Sequence, residues 1–251
     1  MKIPVAFFPV VLAFGAIIVA PRVGAQAQDS RQEGPTEIDK CQAISQSGSY
    51  KLVNNLTFNG PSGSSCLPIT VSNVTIDLAG FSIISLNPQA VAIAATPPSG
   101  QVAEGIVVRN GSISGFNQGV VALGGGSIVE GLRLSGNFEP FATGISAAGI
   151  VKGNTVVGFV GIRGSGVGIG ATGIITGNFV EGNGSGMAIG LGSTVIGNTA
   201  VNNGSVELPD GGFGITVDCP SNVTDNTAVG NPRGNLVLNG SGCNNTNNVA
   251  P

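Results

Sequence analysis

The chain has no histidine and no tryptophan, and a single tyrosine. Without histidine, neither a Ser-His-Asp nor a Cys-His nucleophilic triad can be assembled. Zinc loses its commonest nitrogen ligand, and the four cysteines include no Cys-x-x-Cys pair to replace it. Charge is scarce as well: 10 basic and 13 acidic residues make up 9% of 251. They form no basic patch, which excludes a nucleic-acid binder. Nor is there an apolar run of the ~20 residues a membrane span needs. The nearest, Val5 to Ala20, is shorter and is interrupted by Pro9.

That run has another use. Lys2 precedes it, and the small residues of "VGAQAQ" follow it. The pattern predicts a secretory signal peptide over 1–27, cleaved after Ala25 or Ala27, and so a secreted or periplasmic protein. Without Lys2 and Arg22 the net charge moves from −3 to near −5. The remaining ~225 residues suit one domain. They are rich in glycine, 42 in all, but Val, Ile and Leu recur at regular places, so a core can form. Cysteine usage agrees with export. Cys41 and Cys66 lie near the start and Cys219 and Cys243 near the end. Of three possible pairings, the clustering favours Cys41–Cys66 and Cys219–Cys243.

The strongest pattern is a repeat. "GNFVEGNGS" begins at Gly177, "GNTAVNNGS" at Gly197, and "DNTAVGN" at Asp225. Ala79, Gly111, Leu132, Asn154, Asn178, Asn198 and Asn226 align as equivalent positions. Three residues before each stands Ile76, Val108, Val129, Val151, Ile175, Val195 or Val223. Two residues after come Phe81, Ile113, Leu134, Val156, Val180, Ala200 and Ala228. Five after, from Gly111 onward, come Phe116, Asn137, Phe159, Asn183, Asn203 and Asn231. Spacings of 21, 22, 24, 20 and 28 residues are too short for helical repeats, and the composition suits strands and turns. Such units bury their apolar faces only by stacking into a solenoid. Gly and Asn then supply the bends. Stacked Asn154, Asn178, Asn198 and Asn226 are expected to form one hydrogen-bonded ladder. Asn183 and Asn203 form a second, with Asn137 and Asn231 at its ends.

The stretches "CQAISQSGSYKLVNNLTF", "ITVSNVTIDLAGFSI", "GIVVRNGSISGF" and "NLVLNGSGC" carry a resemblance to small secreted bacterial right-handed parallel β-helix repeat proteins of the pectate-lyase-like superfamily. It covers about residues 41 to 243. The fold expected is all-β, a single-stranded right-handed parallel β-helix with disulfide-closed ends. Residues 28–40 are then a flexible polar leader whose "TEID" begins a short helix over the first coil. Residues 41–68 form an N-terminal cap, 69–243 the β-helix and 244–251 a tail. The insertion from Leu86 to Glu104 is expected as a loop, either a flap over one sheet or a sticky surface. Members of the superfamily include lyases, hydrolases, epimerases, adhesins and phage tail proteins, so the fold leaves activity open.

Catalysis without histidine falls to carboxylates with Arg or Lys. An inverting glycosidase needs two carboxylates ~6.5–9.5 Å apart. The resemblance adds the lyase arrangement, Ca²⁺ held on several carboxylates beside a basic residue. The acids best placed are Glu207, Asp210 and Asp218, where the repeat lengthens to 28 residues, with Arg163 as a candidate base. Against them stands the plainer reading of solvated turns. The function expected is a non-catalytic secreted β-helix that binds glycan or cell-surface material or acts structurally, with no cofactor. The alternative is a polysaccharide lyase or glycoside hydrolase acting on an acidic polysaccharide, with Ca²⁺ only in the lyase case. A second charge pattern has a structural use. Asp77, Arg109, Glu130 and Lys152 occupy one column of the repeat with alternating sign, so they are expected as an outward ion-pair ladder.

Overall fold

The structure is a computed structural model that describes residues 34–96, 101–204 and 210–251. The signal-peptide segment, residues 28–33 of the leader, residues 97–100 and Glu207 lie outside those limits. The described chain is a parallel β-solenoid of about eight turns. Its only helix there is a three-residue 3₁₀ turn, Ile162–Gly164. Each full coil has three faces. Face A carries the column Ile76, Val108, Val129, Val151, Ile175, Val195 and Val223, paired in that register and fully buried. Face B carries Ile113, Leu134, Val156, Val180, Ala200 and Ala228, also buried.

Face C has no column in the sequence frame above. It carries Leu67, Ile93, Val120, Ile145, Ile169, Met187 and Ile215, all buried. Burying side chains of this kind is worth ~1.5–3 kcal/mol apiece, so the three inner columns are the main source of stability. The strand Gln118–Ser135 passes through all three faces without a break.

Several expectations change here. The insertion after Leu86 contains the strand Val91–Ala95, with Ala92 and Ile93 fully buried, so that part is neither flap nor loop but face C of its coil. "TEID" is not a helix: Thr36–Ile38 is a strand paired with Gly48–Leu52, and Ile38 is fully buried. The leader's last residues therefore belong to the first coil. The tail also joins the solenoid, through Asn244–Thr246 paired with Asn222–Thr224. In the first repeat unit Ile83, not Phe81, lies opposite Ile113, because the bend after Asp77 is two residues longer.

Corners expose backbone groups that water cannot reach, and asparagine side chains satisfy them. In the first ladder Asn154, Asn178 and Asn198 each donate Nδ2 to the Oδ1 of the next member at 3.0 Å. Each also sends its backbone N–H to that same oxygen, and a second amide hydrogen back to a carbonyl of the preceding coil. Asn178 thus uses both donors, and its oxygen accepts two bonds, which exhausts its capacity. The ladder runs one coil beyond the expected four, to Asn248, which accepts from Asn226 at 2.9 Å. The second ladder joins Asn183, Asn203 and Asn231 at 3.0 Å and closes on Asn235. Asn137 is not part of it. Phe159 occupies the intervening coil, and the Asn137 amide turns instead to Pro88 O at 2.9 Å and Gly115 O at 3.2 Å.

Both disulfides form as expected, Cys41–Cys66 with Cα atoms 4.6 Å apart and Cys219–Cys243 at 5.0 Å. Each fastens the outer coils at one end. The charge column lies on face A in register, and breaks into two pairs: Arg109 Nε–Asp77 Oδ2 at 3.1 Å and Lys152 Nζ–Glu130 Oε2 at 2.8 Å. Glu37 and Lys51 extend the same alternating column toward the N-terminus. Pairs this exposed are worth ~0–1 kcal/mol each.

Asn178→Ala would remove the partner of the Asn154 N–H, of one Asn154 Nδ2 hydrogen and of the Val151 carbonyl at once. Buried polar groups left unpaired cost ~1–3 kcal/mol each. Denaturant unfolding should show Asn178→Ala destabilised by ~3 kcal/mol or more. A loss below ~1 kcal/mol would refute the ladder's role.

Candidate functional site

Of the four residues proposed from sequence, Glu207 lies outside the described residues, and the other three, Arg163, Asp210 and Asp218, do not converge. Arg163 and Asp210 form an exposed pair, Nε to Oδ2 at 3.0 Å, reinforced by Asp210 N–H donating to Arg163 O at 3.0 Å. Both lie in turns between faces B and C. The bonds tie two long turns together across the coil between them. Asp218 sits at the far end of the strand Phe213–Asp218. Asp210 precedes that strand, whose six residues span ~20 Å at ~3.3 Å each, so the two carboxylates stand at opposite margins of face C. Among the described residues no three His, Cys, Asp or Glu side chains come together as a metal site.

Asp218 does belong to a site, of a different kind. An open groove of about 600 Å³ runs along face C, parallel to the solenoid axis. Outward-facing residues build it in two columns. Ser146, Gly170, Ala188 and Thr216 stack in register along one. Ala148 and Thr172 begin the other, which ends on Asp218 and Asn239. Asn239 Nδ2 donates to Asp218 Oδ1 at 3.2 Å. Leu123 stands at the opposite end, half exposed. From the Ser146 coil to the Asn239 coil is four steps, ~19 Å at the usual strand spacing. Among the residues lining it, Asp218 bears the only charge.

Two kinds of glycine separate structure from surface here. Gly168 and Gly186 face inward beside the second ladder: a Cβ on either would lie 2.9 Å from Nδ2 of Asn183 or Asn203. The fold requires them. Gly170 is different. A Cβ there would meet nothing closer than Ile145 O at 4.0 Å, and its φ is not positive. Its effect is to leave the groove floor low.

The sequence frame missed this groove. Its signal was the alternation Ile145-x-Ala147, Ile169-x-Ala171, Met187-x-Ile189 and Ile215-x-Val217, with small or hydroxyl residues between.

No protein-family model matches the chain, and no curated protein matches it. Among solved structures it is similar to the Dettilon tailspike protein, at 15% identity and a TM-score of 0.38. That similarity covers 84% of this chain, which spans 60% of the tailspike chain. Among the described residues no helix is long and apolar enough to cross a membrane.

Gly170→Ala should leave stability unchanged or raise it by ~0.5 kcal/mol, because glycine in a strand carries an entropic penalty. Gly186→Ala should lower it by more than ~2 kcal/mol, because its Cβ would lie 2.4 Å from the Gly214 carbonyl oxygen and press on the buried Asn203 amide. Equal effects in chemical denaturation would contradict the division drawn between the two.

Proposed function

We propose that this is a secreted, non-catalytic β-solenoid that binds a polysaccharide along the face C groove. The observation that supports it most directly is the groove itself. It is about five coils long and floored by Gly170, Ala188 and Ala148. A low floor admits an extended chain. Ser146, Thr172, Thr216 and Asn239 supply the hydroxyl and amide groups that sugar hydroxyls pair with. The coil repeat is close to the length of one pyranose unit, so successive sugars can meet equivalent positions on successive coils.

Charge narrows the ligand. The groove contains Asp218 and no cation, and Arg163 is committed to Asp210 at another margin. A neutral or amino-bearing polysaccharide suits it better than a polyanion. Secretion and membership of the pectate-lyase-like superfamily are part of the same proposal. Two disulfides suit an oxidising compartment, and the N-terminal segment has the pattern of a signal peptide.

The test is affinity electrophoresis through gels containing dextran, xylan, chitosan or polygalacturonate, with and without Ca²⁺. Neutral or amino polymers should retard the protein, and Ala188→Arg, which fills the groove, should weaken retention at least tenfold. Unsaturated-sugar absorbance or new reducing ends after incubation would overturn the non-catalytic assignment. No retention by any polymer would overturn the binding assignment.

A further inference from the structure

Two phenylalanines at the corner between faces B and C turn inward: Phe116 and Phe159 are buried there. Two do the opposite. Phe138 is 59% exposed and Phe141 75% exposed, on the turn that leads into the strand Thr143–Lys152. Phe141 also has a left-handed backbone, φ 58°. Five of the seven other such non-glycine residues described are Asn or Asp, which tolerate that conformation. A bulky residue does not, and strain of this sort persists where the surroundings impose it, commonly at binding sites.

The surroundings here are specific. Asn137 Nδ2 donates to Pro88 O, and Gln89 Nε2 donates to Glu139 Oε2 at 3.3 Å. These bonds lash the turn to one two coils away, across the short turn between them. The rings are thus held out on a braced support.

We infer that Phe138 and Phe141 form a second saccharide contact, a stacking platform for the apolar C–H face of a pyranose, with Glu139 accepting from the sugar's hydroxyls. The electron-rich ring face suits polarised C–H groups. The size of the patch favours a sugar over a protein partner. Two phenylalanines exposed to this degree offer roughly 200–330 Å², against ~800 Å² per partner in a stable protein interface. The apolar surface is also interrupted by Glu139 and bordered by Gln89 and Asn137, an amphipathic mixture that matches a ring with one apolar face and a polar edge. The inference rests on the glycan-binding function proposed above.

The same gels test it, with Phe138→Ala/Phe141→Ala and Phe141→Asn beside the wild type and Ala188→Arg. Retention by dextran, xylan or chitosan should weaken at least fivefold in both phenylalanine variants. Phe141→Asn should at the same time raise the thermal midpoint, because asparagine relieves the left-handed strain. A purely structural residue would not separate binding from stability in that direction. Wild-type retention that falls with Ala188→Arg but not with the phenylalanine variants overturns the platform and leaves the groove standing. A change in oligomeric state by light scattering, with retention unaltered, also overturns it and makes the rings an interface. No retention of the wild type overturns both.

Discussion

A solenoid must turn its backbone about three times per coil, and at each turn peptide groups point into a dry interior. The hydrogen bonds that satisfy those groups are the constraint on which the rest depends. Burying a polar group without a partner costs ~1–3 kcal/mol, whereas making the bond returns ~1 kcal/mol net, so the penalty for omission is steeper than the gain. Here the A–B corner is satisfied by the ladder from Asn154 to Asn248, and the B–C corner by the ladder from Asn183 to Asn235. The third corner uses serine: Gly173 N–H donates to Ser193 Oγ, and Ser193 N–H to Ser221 Oγ, both at 3.1 Å. Much of the glycine content follows from this. Gly131, Gly153, Gly177 and Gly197 take the left-handed bend before the first ladder, and Gly168, Gly186 and Gly214 clear space beside the second.

This explains what was legible in the sequence. A ladder needs the same residue at the same place in each coil, so its period is written directly in the spacing of the asparagines. The β-branched column on face A is equally plain, since nothing but an apolar side chain fits there. The two disulfides were legible because the cysteines cluster in two pairs, one near each end, with separations of 25 and 24 residues. The face C column was harder to see because its outward residues are glycine, alanine, serine and threonine, as in turns. Val91–Ala95 was hidden in the same way, inside a segment that looked like a loop for its prolines and small residues. Asn235 and Asn248 were missed because they end their ladders outside the repeat frame. Asn137 was misplaced although the repeat column itself sets Phe159 between it and Asn183, and a phenylalanine cannot pass an amide hydrogen bond from one coil to the next.

The candidate site was less legible than the fold for a physical reason. Charged residues attract attention in a chain with so few, but six of them are taken up in ion pairs between coils: Asp77 with Arg109, Glu130 with Lys152, Arg163 with Asp210. The groove is assembled from uncharged small side chains contributed by successive coils, and only stacking brings them together. Its rigidity is inherited from the corners. Three rows of coil-to-coil bonds fix the register, so the groove positions are spaced in advance, which under the proposed binding function would keep the ordering cost low.

The most direct test of the ladders as the element that holds this register is hydrogen exchange of the asparagine side-chain amides, followed by NMR. If the account holds, the Nδ2 protons of Asn178, Asn198 and Asn203 exchange only through global unfolding, with protection equal to that of the slowest backbone amides on face A. Rapid exchange of those side chains in an otherwise folded protein would contradict it.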